Sequence, residues 1–184
     1  MIENAERLYQ RLLVLRCQAG DEKAFATLVE KHQPALRYYL RKVLSGVCDA
    51  DDVLQEVWLD VFRSIARLTD ADAFRAWLYQ VARARAMKQF RKRRLSFQPL
   101  EEAECADVEP QTEIFTNEAA ELVHKALDQL PAAQREVVVL RYIENMSYEE
   151  IARIVGCQVG TVRSRLHYAK QSLRTKLEKA CENG

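Results

Sequence analysis

Apolar residues recur at intervals of three and four positions along almost the whole of this chain. That spacing places them on one face of an α-helix, which makes 3.6 residues per turn. Only five glycines and four prolines interrupt the pattern among 184 residues, so few positions force the backbone out of helical geometry. The sequence therefore predicts an all-α fold.

The first half of the chain divides into helices at recognisable start signals. An amphipathic segment covers residues 6–18. Asp21 is a candidate N-cap for the next helix, because its side chain can accept hydrogen bonds from the first free backbone N–H groups. Pro34 is predicted to lie in the first turn of another helix, which runs to about Leu44, since helices tolerate proline at that position.

A third and a fourth helix are predicted before residue 95. Asp49 or Asp51 is the expected N-cap of the third, and Phe74 opens the fourth, which becomes strongly basic toward its end. The third segment carries a continuous apolar stripe, which predicts that this face is buried. The stripe consists of Leu54, Trp58, Val61, Ile65 and Leu68.

Charge is unevenly distributed along the chain, although the formal net charge is only +1. Residues 83–94 carry seven Lys or Arg and no acid, whereas residues 101–121 carry eight Asp or Glu and no base. A switch from basic to acidic residues that includes Pro99 and Pro110 is typical of an exposed linker. The prediction is therefore two small helical domains, residues 1–95 and 117–184, joined by a flexible acidic linker over residues 96–116.

The sharpest local signal is a helix-turn-helix pattern over residues 147–166. Ser147 followed three residues later by Glu150 forms a capping box, in which each residue satisfies a backbone N–H of the other. Gly156 lies where this helix must end, since glycine adopts the left-handed conformation without a Cβ clash. Apolar residues on the two sides of the turn are spaced to face one another: Ile151, Val155, Val162 and Leu166.

The second helix of this motif is basic, with no acidic residue between Gln158 and Leu177. A basic second helix fits the major groove of DNA. Four side chains near its start are suited to hydrogen bonding with base edges: Gln158, Thr161, Arg163 and Ser164. The alternative is a helical hairpin that binds protein, because the same packing serves that purpose.

Three segments, in the same order, resemble bacterial sigma factors. Residues 49–58 resemble the segment that docks on RNA polymerase, residues 74–83 the promoter-melting helix, and residues 130–137 with 147–166 the C-terminal helix-turn-helix domain. A two-domain plan without further regions is that of the extracytoplasmic-function (ECF) sigma factors. The resemblance implies a transcription initiation factor that directs core polymerase to promoters, melts the −10 element with its first domain and reads the −35 duplex with its second.

The resemblance assigns polymerase binding to the third helix. Its polar face consists of Asp52, Gln55, Glu56 and Asp60. An acidic face alone is usually only solvated, but in sigma factors this helix packs on the clamp of the largest catalytic subunit of core RNA polymerase. The flap of the second subunit and an anti-sigma factor are further expected partners, beside promoter DNA.

The resemblance also assigns the promoter contacts. For the −10 region they are Thr69, Asp70, Ala71, Asp72, Arg83, Ala84, Arg85, Lys88, Arg91 and Arg93. For the −35 region they are Gln158, Thr161, Arg163, Ser164, Arg165, His167, Tyr168 and Lys170. Trp77 and Tyr79 are alternatives as groups that stack on bases, although Trp77 lies on an apolar stripe, which favours core packing.

Three positions depart from the family pattern. Many relatives carry Asn at the position of Ala84, Asp or Asn at that of Lys88, and Arg at that of Tyr168. The −10 sequence preference therefore cannot be transferred from relatives, and one phosphate contact is expected to become a hydroxyl hydrogen bond or a stacking contact.

The acidic linker has three interpretations. In the family this segment threads into the active-site and RNA-exit path of polymerase, so eight acids could imitate the charge of RNA there. It could equally be a disordered spacer. It could also fold back on the basic helices of the free protein and mask them.

Other function classes have little support in the sequence. Three histidines lie in separate segments, with His32 and His124 expected at the surface or half-buried, and five cysteines lack metal-ligand spacing, so neither an enzyme nor a metal site is predicted. No cofactor is expected. No apolar run is long enough to span a membrane, which predicts a cytoplasmic protein without membrane insertion. The main rival is a free-standing helix-turn-helix regulator that binds operator DNA as a dimer.

Overall fold

A computed structural model of the chain describes residues 2–45, 49–95 and 118–182. Regular structure in these ranges is entirely helical, without a β-strand, which confirms the all-α prediction. The helices are α1 (Ile2–Gln18), α2 (Glu22–Leu44), α3 (Ala50–Ser64), α4 (Phe74–Leu95), α5 (Glu118–Asp128), α6 (Ala132–Val138), α7 (Tyr148–Val155) and α8 (Val159–Glu182). Short 3₁₀ turns at Ile65–Arg67 and Ala71–Ala73 join α3 to α4, and a π-turn at Val139–Ile143 follows α6.

Several helix starts lie where the capping signals predicted them. The Asp21 side chain accepts hydrogen bonds from the backbone N–H groups of Lys23 and Ala24 at the start of α2. Of the two candidates for α3, Asp49 is the N-cap and accepts from the N–H of Asp51. These carboxylates also lie at the positive end of the helix dipole, which adds to their stabilising effect.

The predicted helix start at Pro34 is wrong. Helix α2 runs without a break from Glu22 to Leu44, and Pro34 lies inside it on the exposed side. An interior proline costs about 3 kcal/mol. The buried face of α2 nevertheless continues past it through Leu28, Leu36 and Leu40. Burial of each leucine contributes about 1.5–3 kcal/mol, so packing of the continuous face outweighs the proline.

The apolar stripe predicted for the third segment is confirmed, although the helix is shorter than the stripe. Helix α3 ends at Ser64, and the stripe continues into the 3₁₀ turn that follows. Its first four members, beginning with Leu54 and Trp58, are buried, and the last, Leu68, is half-buried.

The helices pack as two groups that contact each other. We call α1–α4 (residues 2–95) the N-terminal half and α5–α8 (residues 118–182) the C-terminal half. In the N-terminal half, α2 packs between α1 and α3, and α4 packs on α2 and α3; in the C-terminal half, α5, α6 and α7 pack on α8. Helix α7 also packs on α4, and α6 on α2, so buried side chains form one continuous cluster across both halves. The predicted linker lies outside the described residues.

Candidate nucleic-acid interface

The helix-turn-helix forms as its residues predict. The Ser147 hydroxyl accepts from the Glu150 N–H at 3.1 Å, and the Glu150 carboxylate accepts from the Ser147 N–H at 2.8 Å. Gly156 ends α7 with φ of 67°. The four facing apolar residues, from Ile151 to Leu166, are all buried. The start of α8 is thereby held at a fixed position after the turn.

The predicted −35 contacts lie on the solvent side of α8. Six of the eight are exposed: Gln158, Arg163, Ser164, His167, Tyr168 and Lys170. The other two, Thr161 and Arg165, are half-buried. The His167 and Tyr168 rings meet edge to face with 5.5 Å between their centroids. This face thus combines cations, an amide, a hydroxyl and exposed rings, which are groups that contact phosphates and base edges.

Residues before α8 extend this surface, although no specific sequence signal pointed to them. Arg141 lies over the ring of Tyr148 at 5.1 Å from the guanidinium carbon to the centroid, and Arg163 approaches the same ring at 5.9 Å. Lys170 lies 5.4 Å from the centroid of Tyr142, whose side chain is half exposed. These cation–π contacts join the π-turn and α7 to the basic face of α8.

A second basic surface is a groove of about 610 Å³ between α3 and α4. Four of the predicted −10 contacts line it: Ala84, Arg85, Lys88 and Arg91. Arg63 and Arg67, at the end of α3 and in the turn after it, line the opposite side. Sequence reasoning missed these two arginines, because only the packing of α3 against α4 brings them to the same groove. The side chain of Arg93 lies outside the described part of the chain.

One predicted DNA contact pairs with two predicted polymerase contacts. Arg85 forms a bidentate ion pair with Asp60 and a second ion pair with Glu56 at 3.1 Å. The hydrogen bond from Arg85 lowers the pKa of the Asp60 carboxyl below its ordinary value. The predicted docking face of α3 (Asp52, Gln55, Glu56 and Asp60) and the α3–α4 groove are therefore adjacent, and they share charged residues.

The rest of the predicted docking face is open to solvent. Asp52 and Gln55 are exposed, and the same side of α3 continues into Leu59 and Phe62, whose side chains are 54% and 57% exposed. Phe25 of α2 packs edge to face against Phe62 at 5.2 Å. Two exposed apolar side chains beside an acid and an amide form a surface suited to a protein partner. Sequence reasoning identified only its polar members.

The loop before α4 is held against α1. Thr69 and Asp70 are exposed, whereas Ala71 is buried. Asp72 forms ion pairs with Arg7 at 3.1 Å and with Arg11 at 3.7 Å. Of the four predicted loop contacts, only the first two are therefore fully accessible.

Arg83 points away from the groove. Its guanidinium contacts Glu136 of α6 at 2.9 Å. Tyr79, considered as a base-stacking group, is 1% exposed and packs edge to face on Tyr39. Trp77 is half-buried against the core, in agreement with the packing interpretation. These side chains serve packing within and between the halves rather than the open groove.

No helix in residues 2–45, 49–95 or 118–182 is long and apolar enough to cross a membrane. The same ranges contain no cluster of three or more His, Cys, Asp or Glu side chains that could hold a metal ion.

The chain is similar to known proteins over almost its whole length. The family description Sigma-70 region 2 matches residues 28–95, and Sigma-70, region 4 matches residues 120–173. The ECF RNA polymerase sigma-E factor of Haemophilus influenzae is 34% identical, over 95% of this chain and 98% of the relative. The sigma-E factor of Escherichia coli is 32% identical, over 95% of this chain and 97% of the relative.

Two solved structures are similar in both fold and sequence. CnrH, in complex with the cytosolic domain of CnrY, has a TM-score of 0.66 and 28% identity and covers 93% of this chain and 98% of its own. The sigma factor RpoE of Bartonella quintana, in complex with the anti-sigma factor NepR, has a TM-score of 0.70 and 26% identity. The match covers 85% of this chain and 98% of the RpoE chain.

Region 2 and region 4, in this order on one all-helical chain, define a transcription initiation factor of the sigma-70 class. The similarity to sigma-E factors covers both regions and identifies the subgroup within this class. The chain belongs to the ECF RNA polymerase sigma factor family.

Proposed function

We propose that this sigma factor binds core RNA polymerase and the two promoter elements through separate surfaces. The α3 face with Asp52 and Gln55 binds the clamp of core RNA polymerase, and the C-terminal half meets the flap. The α3–α4 groove and the loop at Thr69 and Asp70 engage the −10 element, and the exposed face of α8 reads the −35 duplex. The observation that carries the proposal is the position of the groove directly beside the docking face, which would place promoter DNA against the polymerase.

The groove has the charge required for strand capture. Extruding a base from duplex DNA costs a few kcal/mol, which contacts made by the protein must offset. Arg63, Arg67, Lys88 and Arg91 are cations along one groove. Neutralising about four phosphates would give a salt slope of about −3.6. Binding would then weaken steeply as salt rises.

On this proposal the protein acts in the cytoplasm without catalysis of its own, as the initiation subunit of a polymerase that supplies the chemistry. An anti-sigma factor is a further proposed partner. Two similar solved structures support it. One is a sigma factor in complex with the anti-sigma factor NepR, and the other is CnrH in complex with the cytosolic domain of CnrY.

The test is run-off transcription from a randomised promoter library with core polymerase. The parent protein should give promoter-dependent transcripts. Asp52→Lys should lose polymerase binding, because it reverses the charge of an exposed docking residue that takes no part in the Arg85 ion pairs. Glu30→Lys is the matched control, since Glu30 is an exposed acid on α2.

Two results would contradict the proposal. The first is an absence of promoter-dependent initiation with active core polymerase. The second is equal polymerase binding by Asp52→Lys, Glu30→Lys and the parent. The rival regulator predicts instead a tight dimer that binds duplex DNA without polymerase, which sedimentation and gel-shift measurements would detect.

A further inference from the structure

One side chain of α1 binds two backbone carbonyls of the segment between α3 and α4. We call this segment, residues 65–73, the −10 loop. The Gln18 amide nitrogen donates to the carbonyl of Ile65 at 3.0 Å and to that of Leu68 at 2.7 Å. A glutamine amide nitrogen carries two hydrogens, so both are used on the loop. The two carbonyls lie 47 and 50 residues away along the chain, so no local sequence pattern indicates this contact.

The −10 loop has little regular structure of its own. It consists of two short 3₁₀ turns, Ile65–Arg67 and Ala71–Ala73, with residues 68–70 between them. Hydrogen bonds in 3₁₀ turns have poorer geometry than those in α-helices. Contacts from outside the loop therefore contribute strongly to its conformation.

Helix α1 lies along the loop and contacts both of its turns. Gln18, at the end of the helix, holds the first turn, and Arg7, near its start, pairs with Asp72 in the second turn at 3.1 Å. Arg7 is 70% exposed, and exposed ion pairs stabilise little. The Gln18 contacts are partly buried, where a carbonyl without a donor is costly. Gln18 is therefore the stronger of the two anchors.

The end of α1 fixes the position of Gln18. Gly20 adopts the left-handed conformation, with φ of 88°. The Gly20 N–H bonds to the Cys17 carbonyl at 3.0 Å. The Asp21 N–H bonds to the Arg16 carbonyl at 3.0 Å. These two bonds form a Schellman motif, which ends a helix in a defined geometry. Gln18 lies in the last turn before it, so its side chain leaves a backbone of fixed shape.

Attachment of α1 to the rest of the fold does not depend on Gln18. Leu13 and Val14 are buried, and α1 packs on α2. Burial of apolar side chains is the main source of stability in such packing. The two bonds from Gln18 therefore act on the conformation of the loop rather than on the attachment of the helix.

We propose that Gln18 is a positioning residue for the −10 loop and keeps Thr69 and Asp70 in one conformation, ready for an extruded promoter base. These two side chains are exposed between the two anchors, and Arg67 of the first turn lines the adjacent basic groove. A loop that is ordered before binding loses less conformational entropy on binding. Use of this order in base capture rests on the proposed function, whereas the order itself does not.

The first test measures loop order in the full chain without polymerase or DNA, by NMR of backbone amide hydrogen exchange. Gln18→Met keeps a side chain of similar length and removes both donors. A typical hydrogen bond shifts an equilibrium by about two- to tenfold. The Leu68 amide, which bonds to the Ile65 carbonyl at 3.1 Å, should therefore exchange about tenfold faster when two bonds are lost. The amides of α4 should exchange at the parent rate.

The matched control is Gln33→Met, because Gln33 is a half-buried glutamine of α2. It should leave the Leu68 amide at the parent rate. With unchanged circular dichroism, an acceleration of less than about threefold in Gln18→Met, or an equal acceleration throughout α4, would overturn the proposal. If Gln18→Met loses helicity, Gln18→Glu decides at neutral pH, since its carboxylate keeps the side-chain shape and cannot donate. An acceleration of about threefold or more then supports the proposal, and a smaller one refutes it.

The second test measures base preference with the holoenzyme, made from core RNA polymerase and the full chain. Forked promoter fragments from the library selection carry each base in turn at every −10 position. If the ordered fraction of the loop falls to about 10%, affinity for the captured base falls about tenfold. Gln18→Met should therefore lower the affinity ratio between the best and the worst base about tenfold at the extruded position. Preference at the −35 element should equal that of the parent.

The two ways in which this test can fail are distinguishable. A parent-like ratio in Gln18→Met, when its Leu68 amide exchanges faster, would refute the role in base capture and leave the proposed function intact. A parent holoenzyme without any −10 base preference would contradict the proposed function, and the capture role with it.

Discussion

The free energy of unfolding should fall between pH 7 and pH 4 because of one buried histidine. His32 is 8% exposed, its ring packs on Phe74 at 5.5 Å, and its Nε2 is buried without a hydrogen-bond partner among the described residues. Burial, followed by the positive charges of Lys31 and Arg75 and partly offset by Glu6, lowers the pKa of His32 from 6.5 to about 4. The expectation of a surface or half-buried His32 was wrong.

The sign and size follow from proton linkage. Above pH 6.5 His32 is neutral in both states. Between pH 6.5 and about 4 the unfolded chain binds a proton that the folded chain excludes, so stability falls by about 1.4 kcal/mol per pH unit. Below that range the folded chain is protonated too and the loss levels off. The total contribution of His32 is about 3 kcal/mol.

The assay is urea unfolding followed by circular dichroism at several pH values. His32→Leu removes the titrating group and keeps the site apolar. Its stability loss from pH 7 to pH 4.5 should be smaller than that of the parent by about 2.5 kcal/mol. Gln33→Leu, a neighbouring change without a titrating group, should follow the parent curve. Parallel curves for His32→Leu and the parent, or an imidazole that titrates near pH 6.5 by NMR, would refute the reasoning.

Three other predictions concern the cap, the buried tyrosines and the groove. Ser147→Ala should lower the stability of the C-terminal half by about 1 kcal/mol in urea unfolding, because the capping box is lost. Burial, followed by nearby glutamate charge, raises the pKa values of Tyr39 and Tyr79. The free energy of unfolding should therefore fall as pH rises above 10, because only the unfolded chain loses these protons. Absorbance at 295 nm should show both tyrosines ionising only on unfolding. Lys88→Ala should reduce the magnitude of the salt slope of promoter binding by about 0.9, and Lys23→Ala should leave it unchanged.

Local signals in the sequence were sufficient wherever short-range hydrogen bonding decides the structure. Ser147, Glu150 and Gly156 are close in the chain, so their chemistry determines where α7 starts and ends. Pro34 did not mark a helix start, because its energetic cost is local, whereas the burial that outweighs this cost comes from packing against other helices. The same reason explains why the burial of His32 was not predicted. The apolar face of α2 is visible in the sequence, but the contact of His32 with Phe74 depends on how α4 packs.

The charged surfaces show the same division. The basic runs and the family resemblance predict DNA and polymerase contacts along the chain, but only packing shows which charges meet. Asp60 and Arg85 are 25 residues apart and form a bidentate ion pair, while Arg83, two residues earlier, faces α6. Any phosphate bound by Arg85 must therefore replace a carboxylate that already satisfies it. The free energy that Arg85 adds to DNA binding is therefore the difference between its contact with phosphate and its contact with Asp60. That difference is smaller than the energy of either contact. Lys88 and Arg91 have no ion pair among the described side chains, so they should contribute more to DNA affinity than Arg85 despite the shared helix.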